Sequence, residues 1–190
     1  MIARFYDTIA GGFFDTVQNA SAPEPLGVLA ARRKPLQDSP TPAGNSLAAT
    51  LLLRLAELSG RADWKGKAED TLKAFAGVAE QFGLYAGAYG LALQRYLLPP
   101  VQVCVIGDDG HADGLFAVAT ARYAVNKTVL RLSRTVVESG GLPPALAETL
   151  PHLPELKQAG SFAIVCSGMS CQPPVHEAEE LVEMLNRMLG

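Results

Sequence analysis

The feature that most constrains the fold of this chain is a change of hydrophobic period at Pro99-Pro100. Before this pair, apolar residues recur at the spacing of one face of an α-helix. After it come short runs rich in β-branched residues, beginning with "VQVCVIG" at 101–107, which are typical of buried strands. Proline disrupts both patterns because it lacks a backbone N–H. The sequence therefore predicts a helical segment at 1–98 followed by a small α/β segment at 99–190.

The first segment is predicted to contain a helical hairpin. Its helices are expected at about Ser46–Leu58 and Ala62–Phe82, and a third helix is expected at about Tyr85–Leu97. Gly60 separates the first two helices, because glycine readily takes the left-handed backbone conformation that ends a helix. Leucines occupy nearly every side of the first helix, so we expect that helix to be buried all round.

The second segment alternates strands with helices. Strands are expected at 101–107, 127–133 and 161–166, and helices at 112–124 and 176–189. The order strand, helix, strand, long crossover, strand is typical of a parallel sheet with right-handed connections. The predicted fold class is therefore α+β (mixed α/β), with a helical hairpin layer followed by a small three-stranded parallel βαβ sheet and a C-terminal helix.

Composition and charge exclude several classes of function. Hydrophobic residues make up 48% of the 190 residues and charged residues 18%, which is typical of a folded globular protein. The net charge is −3 and no basic run is longer than Arg32-Arg33-Lys34, so we expect no nucleic-acid or anionic-membrane surface. No apolar run reaches the length of a membrane span. Three cysteines without disulfide-framework spacing fit a reducing compartment, and we expect a cytoplasmic protein.

A proline-rich polar loop at 17–45 leads into the first long helix. Such long irregular segments are usually functional when they are ordered. Polar side chains at the mouth of a buried helix can line a cavity, because loops on rigid scaffolds carry function. A solvated loop with a good N-cap explains the same residues equally well. The ligand-binding candidates in this loop are Arg32, Lys34, Asp38, Asn45 and Ser46.

The third predicted strand ends at Cys166, and Cys171 and Gln172 follow after a short loop. Three interpretations of the two cysteines are open. They can be small hydrophobic residues of a strand end and a turn, a reversible thiol pair, or metal ligands. The metal interpretation lacks support, because Cys104 and the three histidines offer no second paired ligand set. We therefore expect no metal and no cofactor, and we take Cys166, Cys171 and Gln172 as the redox candidates.

The segment "VIGDDGHADG" at 105–114 has the glycine content of a phosphate-binding loop but not its G-x-G-x-x-G spacing. Asp108, Asp109 and Asp113 would also repel a phosphate placed at the start of the following helix. We therefore predict a tight strand-to-helix turn with N-capping aspartates.

No catalytic set can be assigned from the sequence. The three histidines lie in unrelated contexts, and none belongs to a recognisable Ser/His/Asp arrangement. The aromatic residues of the first segment are expected in the core, with a sugar-stacking platform as the alternative. These residues are Phe13, Phe14, Trp64, Phe75 and Phe82.

Four segments occur in a distinctive order: "GGFFDT" (11–16), "RRKPLQDSPTPAGNSLAATLLLRLAELSG" (32–60), "VQVCVIGD" (101–108) and "IVCSGMSCQPPV" (164–175). Together they resemble the C-terminal part of the thioredoxin-domain-containing protein family, also called the spermatogenesis-associated or DUF255 family. The resemblance covers nearly the whole chain. Those proteins join an N-terminal thioredoxin-like domain to an (α/α)6 toroid similar to that of N-acylglucosamine epimerases.

The resemblance implies that the helices here are the last few of a toroid and that the α/β segment is an added layer. The polar loop would then face the central cavity, which suggests a carbohydrate-like small molecule as ligand. This chain contains no Cys-x-x-Cys motif and too few helices to complete the ring. The resemblance therefore also implies a partner, which is either the missing thioredoxin-like and toroid half or a second copy in a homodimer.

We interpret the chain as a non-catalytic or half-site binding and association module of undefined activity. A first alternative is a thiol-redox accessory protein, which requires the Cα atoms of Cys166 and Cys171 to lie within about 4.4–6.8 Å of each other. A second is a fragment of a sugar-handling enzyme, epimerase-like or glycosidase-like, which requires an acid and a base beside one pocket. Asp38 is the carboxylate best placed for that role.

Overall fold

The computed structural model describes residues 1–17, 31–168 and 170–189, so residues 18–30 of the predicted polar loop lie outside the described residues. The chain divides into two compact units. The first comprises Met1–Ala56 and Arg61–Tyr96, and the second comprises Glu57–Gly60 and Leu97–Gly190. The α+β class expected from the sequence is confirmed, because the described residues form helices together with one mixed sheet.

The helices before residue 98 follow the predicted hairpin with shifted ends. They are α1 (Ile2–Phe5), α2 (Gly44–Ser59), α3 (Ala62–Ala76), a 3₁₀ helix at Ala79–Ala86 and α4 (Gly87–Leu97). The second helix of the hairpin therefore ends earlier than expected, at Ala76 instead of Phe82. Gly77 follows it directly, and Gly83 takes a φ of +50° that no helix continues through.

The core of the first unit is formed where α2, α3 and α4 face one another. The buried apolar side chains of these helices include Ala49, Leu52, Leu72, Phe75 and Tyr89. The expectation that α2 is buried on all sides is wrong. Leu47 is 52% exposed and Leu51 is 47% exposed, whereas Leu52 and Leu53 on the opposite face are buried. Two leucines on one face of α2 are therefore exposed.

The second unit contains the sheet. Its elements are β1 (Val101–Ile106), α5 (Gly110–Ala121), β2 (Lys127–Leu132), α6 (Arg134–Glu138), α7 (Pro144–Ala147), 3₁₀ turns at Leu150–His152 and Pro154–Lys157, β3 (Phe162–Ser167), β4 (Ser170–Cys171) and α8 (Ala178–Leu189). Among the described residues, no helix of either unit combines the length and apolarity that a bilayer span requires.

The observed sheet differs from the predicted three-stranded parallel one. Within the described residues it has four strands in the order β2-β1-β3-β4. Strands β1 and β2 are parallel as expected, but β3 is antiparallel to β1, and β4 is antiparallel to β3. Leu132 at the end of β2 and Phe162 at the start of β3 both pair with Ile106. The connecting segment therefore begins and ends at the same end of the sheet, and it passes β1, which lies between β2 and β3.

Helices cover both faces of this sheet. Residues alternate between the faces along each strand, so that Val103, Val105, Ala163 and Val165 pack with α5 and α8. The opposite face packs against α6, α7 and the 3₁₀ turns. Its strand residues are Cys104, Ile106, Phe162, Ile164 and Cys166. Strands β1 and β3 are therefore buried on both sides, which explains their nearly continuous apolar sequences.

The turn from β1 to α5 depends on Gly107. Its φ is +147°, and a Cβ atom built there would lie 1.9 Å from Ser161 Oγ. Ser161 Oγ donates to Asp109 Oδ1 at 2.6 Å, and the same carboxylate oxygen accepts from Ala112 N at 2.9 Å and so caps α5. The predicted N-capping role of an aspartate in this turn is confirmed for Asp109.

We expect Gly107→Ala to lower the free energy of unfolding by about 2–4 kcal/mol, because it combines backbone strain with a steric clash. The matched control is Gly114→Ala inside α5, where a Cβ atom would meet nothing within 4 Å. That variant should gain up to about 1 kcal/mol of helix propensity. Urea denaturation of both variants measures the difference, and equal stabilities would contradict this account of the turn.

Candidate functional site

The candidate site is a β-hairpin that carries a disulfide bond between two neighbouring strands. Cys166 of β3 lies directly opposite Cys171 of β4, and their sulfur atoms are bonded. Their Cα atoms are 3.9 Å apart, which is closer than the separation expected from the sequence. Gly168 in the intervening turn has a φ of +58°, a conformation that glycine adopts without steric cost. The structure therefore joins the two redox candidates.

The two cysteines differ in their access to solvent. Cys166 is only 8% exposed, whereas Cys171 is exposed on the hairpin. Gln172, the third redox candidate, contributes its backbone, because its N–H donates to Val165 O at 2.9 Å. Further along, Ala163 and Val175 exchange two backbone hydrogen bonds of 2.8 Å. These backbone bonds hold the strand edge in place independently of the sulfur–sulfur bond.

A cavity of about 460 Å³ lies beside the disulfide within the second unit. Cys166 and Gly168 form part of its wall, and Gln102 lies on β1 opposite Cys166 in the strand register. Two glutamates, Glu57 and Glu148, also line the cavity. None of the described lining residues carries a positive charge. Cys166 therefore borders a cavity whose charged side chains, among the described lining residues, are acidic.

Two hydrogen bonds place Glu57 at this wall. Its backbone carbonyl accepts from Gln102 Nε2 at 3.2 Å, and its Oε2 accepts from Thr128 Oγ1 at 3.5 Å. Glu148 lies just after α7 and is exposed. Nothing in the sequence pointed to Glu57, Gln102 or Glu148, because the three residues come from separate parts of the chain and share no motif.

The third cysteine, Cys104, has different properties. It is fully buried in β1 and pairs with Ile164. Burial raises the pKa of its thiol to about 12, because the surrounding apolar side chains disfavour the thiolate. The thiolate is the reactive form of cysteine, so burial and the raised pKa both disfavour reaction of Cys104 at neutral pH. Within the described residues, no three or more His, Cys, Asp or Glu side chains are grouped to hold a metal ion.

In the first unit, the polar-loop candidates Asp38 and Asn45 form hydrogen bonds with the backbone. Asp38 accepts from Ala43 N through Oδ1 and from Ala88 N through Oδ2, each at 2.7 Å, and so caps the starts of α2 and α4. Asn45 accepts from Phe13 N at 2.6 Å and donates to Phe13 O and Pro35 O, both at 2.9 Å. These bonds fix the path of the loop and leave few polar atoms for a ligand.

Lys34 and Arg32 are also engaged within the first unit. Lys34 Nζ lies 2.7 Å from Asp7 Oδ2, and this hydrogen bond is the largest cause of the lowering of the Asp7 pKa to about 2. The guanidinium of Arg32 lies 3.7 Å from the centre of the Phe14 ring, and its Nε donates to Thr16 O. The remaining candidate, Ser46, is buried, and its Oγ has no hydrogen-bond partner among the described residues.

Segment 11–16 brings some of these candidates together. A Cβ atom on Gly12 would lie 3.2 Å from Asn45 Oδ1 and 3.3 Å from the Lys34 side chain, and Lys34 Nζ is 5.0 Å from the Phe14 ring centre. Asp38 instead bridges the starts of two helices.

Phe13 and Phe75 belong to the core, with Trp64 and Phe82 packed against it. Binding of a carbohydrate-like molecule at this loop stays a prediction.

We expect Asn45→Ala to destabilise the chain by about 2–4 kcal/mol, because it removes the partner of two buried backbone groups, the N–H and the C=O of Phe13. The control is Thr50→Ala, which removes a hydroxyl bonded to Ser46 O within α2 and should change stability by less than about 0.5 kcal/mol. Thermal unfolding monitored by circular dichroism compares the two. An Asn45→Ala variant as stable as the control would show that these hydrogen bonds do not hold the loop.

Three mammalian proteins are similar to this chain. It is 27% identical over 186 residues to spermatogenesis-associated protein 20 of Homo sapiens. It is 28% identical over 189 residues to the proteins of the same name from Rattus norvegicus and Mus musculus. Each match covers 96% of the chain but only 22% of the relative, so the chain spans about a fifth of their length. No protein-family model and no solved structure matches the chain. The similarity to spermatogenesis-associated proteins is thus supported, while a thioredoxin-domain context and a toroid stay predictions.

Proposed function

We propose that the chain is a thiol-redox accessory module in which the Cys166–Cys171 disulfide is reversibly reduced. The observation that carries this proposal is the pairing of an exposed cysteine with a buried one that lines a cavity. Exposed disulfides are the ones most open to thiol attack, whereas structural disulfides resist reduction. The names of the similar proteins state no reaction. The proposal therefore depends on the geometry of the hairpin.

The disulfide is poorly placed to serve as a structural crosslink. Its cysteines are only five positions apart, and closing so short a loop removes less chain entropy than closing a long one. The backbone bonds of Gln172 and Val175 already fix the hairpin. The sequence is also expected to belong to a reducing compartment, where disulfides are usually transient and either catalytic or redox-sensing. These features together favour a chemical role.

The reaction is a two-electron thiol–disulfide exchange. A thiolate of a reductant attacks one sulfur of the pair, the sulfur–sulfur bond breaks, and the other cysteine leaves as a thiolate that takes a proton from water. A second thiolate of the reductant then attacks the mixed disulfide and releases the first cysteine. The protein ends with two thiols and the reductant ends as a disulfide, so electrons and protons balance.

We expect mild treatment with dithiothreitol to expose two thiols to maleimide while the circular dichroism spectrum stays unchanged. Without reductant no cysteine should react, because Cys104 is buried. Mass spectrometry of the labelled protein counts the reactive thiols, and oxidised glutathione should restore the disulfide in a reduced, unlabelled sample. A disulfide that resists reduction until the protein unfolds would overturn the redox role.

A second candidate function is self-association through the first unit. The exposed apolar face of α2 carries Leu47 and Leu51, and Leu91 of α4 is 49% exposed as well. Contiguous exposed apolar patches are typical of surfaces that bind another protein, and Leu47 and Leu51 are neighbours one turn apart on α2. A second copy of the chain would cover them.

We expect light scattering after size exclusion to give the mass of a dimer for the parent chain and of a monomer for the Leu47→Glu/Leu51→Glu variant. Both leucines are about half exposed, so this variant should remain folded. The matched control is Val182→Glu on α8, where a valine of the second unit is 42% exposed. A monomeric parent chain at high protein concentration would remove this candidate.

A further inference from the structure

The geometry points to a substrate class for the disulfide: we infer that the cavity beside Cys166 admits a peptide-sized thiol that carries positive charge next to its sulfur. The inference rests on the proposed redox function and adds the selectivity of the site. Three observations support the inference: the position of Cys166, the volume of the cavity and its acidic side chains.

The position of the cavity favours attack on Cys166 by a thiol that is bound there. Cys166 lines the cavity with Gly168, Gln102 and Pro100, whereas Cys171 is exposed on the hairpin. A thiol bound in the cavity therefore lies beside Cys166. The volume of about 460 Å³ falls within the range of small-molecule sites. A cavity of this volume can accommodate a short peptide that contains a cysteine. The exchange reaction itself would proceed with a much smaller thiol.

The charges of the cavity decide which thiols enter. Glu57 and Glu148 are its charged side chains among the described lining residues. A cleft lined by one sign of charge raises the local concentration of ligands of the opposite sign. Juxtaposed like charges suppress the wrong partner. A thiol flanked by arginine or lysine is therefore attracted, and a thiol flanked by carboxylates is repelled.

The amide of Gln102 adds a polar contact at the same wall. Its Nε2 donates to Glu57 O, and its side-chain oxygen can accept a hydrogen bond. An ammonium or guanidinium group that reaches Glu57 can thus also donate to this amide. Pro144 and Ala145 of α7 supply an apolar surface for the carbon chain of the same side chain.

The chemical step follows from this placement. The thiolate of the bound peptide attacks Cys166 Sγ, the Cys166–Cys171 bond breaks, and Cys171 leaves as a thiolate on the solvent side, where water protonates it. A second peptide thiolate then attacks the peptide sulfur of the mixed disulfide. Cys166 is released as a thiol, and the two peptides leave joined by a disulfide. One protein disulfide is reduced and two peptide thiols are oxidised.

The test uses three capped tripeptides, Arg-Cys-Arg, Gln-Cys-Gln and Glu-Cys-Glu, as reductants of the oxidised full chain. Each rate is divided by the rate at which the same peptide reduces a small uncharged disulfide, which removes differences in intrinsic thiol reactivity. We expect the corrected rate to be at least about tenfold higher for the arginine peptide than for the glutamate peptide at low salt. High salt should reduce that ratio.

Charge-neutralising variants locate the effect. Glu148→Gln and Glu57→Gln should each lower the ratio several-fold. Glu148 is exposed, so its variant should fold even if the Glu57 variant does not. The control is Glu183→Gln, which removes the same charge from the exposed side of α8 away from the cavity lining and should leave the ratio unchanged.

The outcomes separate this inference from the redox function itself. If dithiothreitol reduces the folded protein but the three peptides react at equal corrected rates, charge selection is overturned and the redox role stands. The same holds if Glu148→Gln behaves like Glu183→Gln. If no thiol reduces the disulfide in the folded protein, both proposals fail together.

Discussion

The antiparallel pairing of β1 with β3 is the interaction on which the second unit depends. It places Val103 opposite Val165 in the centre of the sheet, with helices on both faces. Two strands buried on both sides bring a large apolar area out of water, which is the main favourable term in folding. The same pairing sets Cys166 opposite Gln102. The disulfide and the cavity wall are therefore positioned by the most buried part of the sheet, and β4 is attached to it at the edge.

The sequence predicted most elements of the structure but not the direction of the third strand. Hydrophobic period located β1, β2, β3 and α8 within one or two residues, because burial on defined faces leaves a clear pattern. Strand direction depends on where the connecting segment returns. Residues 133–161 form short helices and 3₁₀ turns instead of one long helix. Such short elements leave no hydrophobic period in the sequence from which the path of the connection could be predicted.

The candidate sites show a similar division. The sequence indicates the polar residues before α2 as ligand-binding candidates, with a solvated, capped loop as an equal alternative, because spacing cannot separate ligand contacts from capping and loop anchoring. The structure shows that Asp38 and Asn45 make anchoring bonds. Cys166 and Cys171 were recognisable because they are close in sequence. Glu57 and Glu148 could not be recognised from the sequence. Glu57 lies near the end of α2 and Glu148 directly after α7, and only the fold brings both to one cavity.

The fully buried position of Cys104 has a consequence for how the reduced protein can reoxidise. Three thiols permit three different intramolecular pairings, and a chain in which all three were accessible could shuffle among them. Here one sulfur is enclosed between β1 and the helices on its face, and the hairpin register selects the other two. Under the proposed redox role, the packing of the core therefore leaves Cys166–Cys171 as the intramolecular disulfide that reoxidation forms.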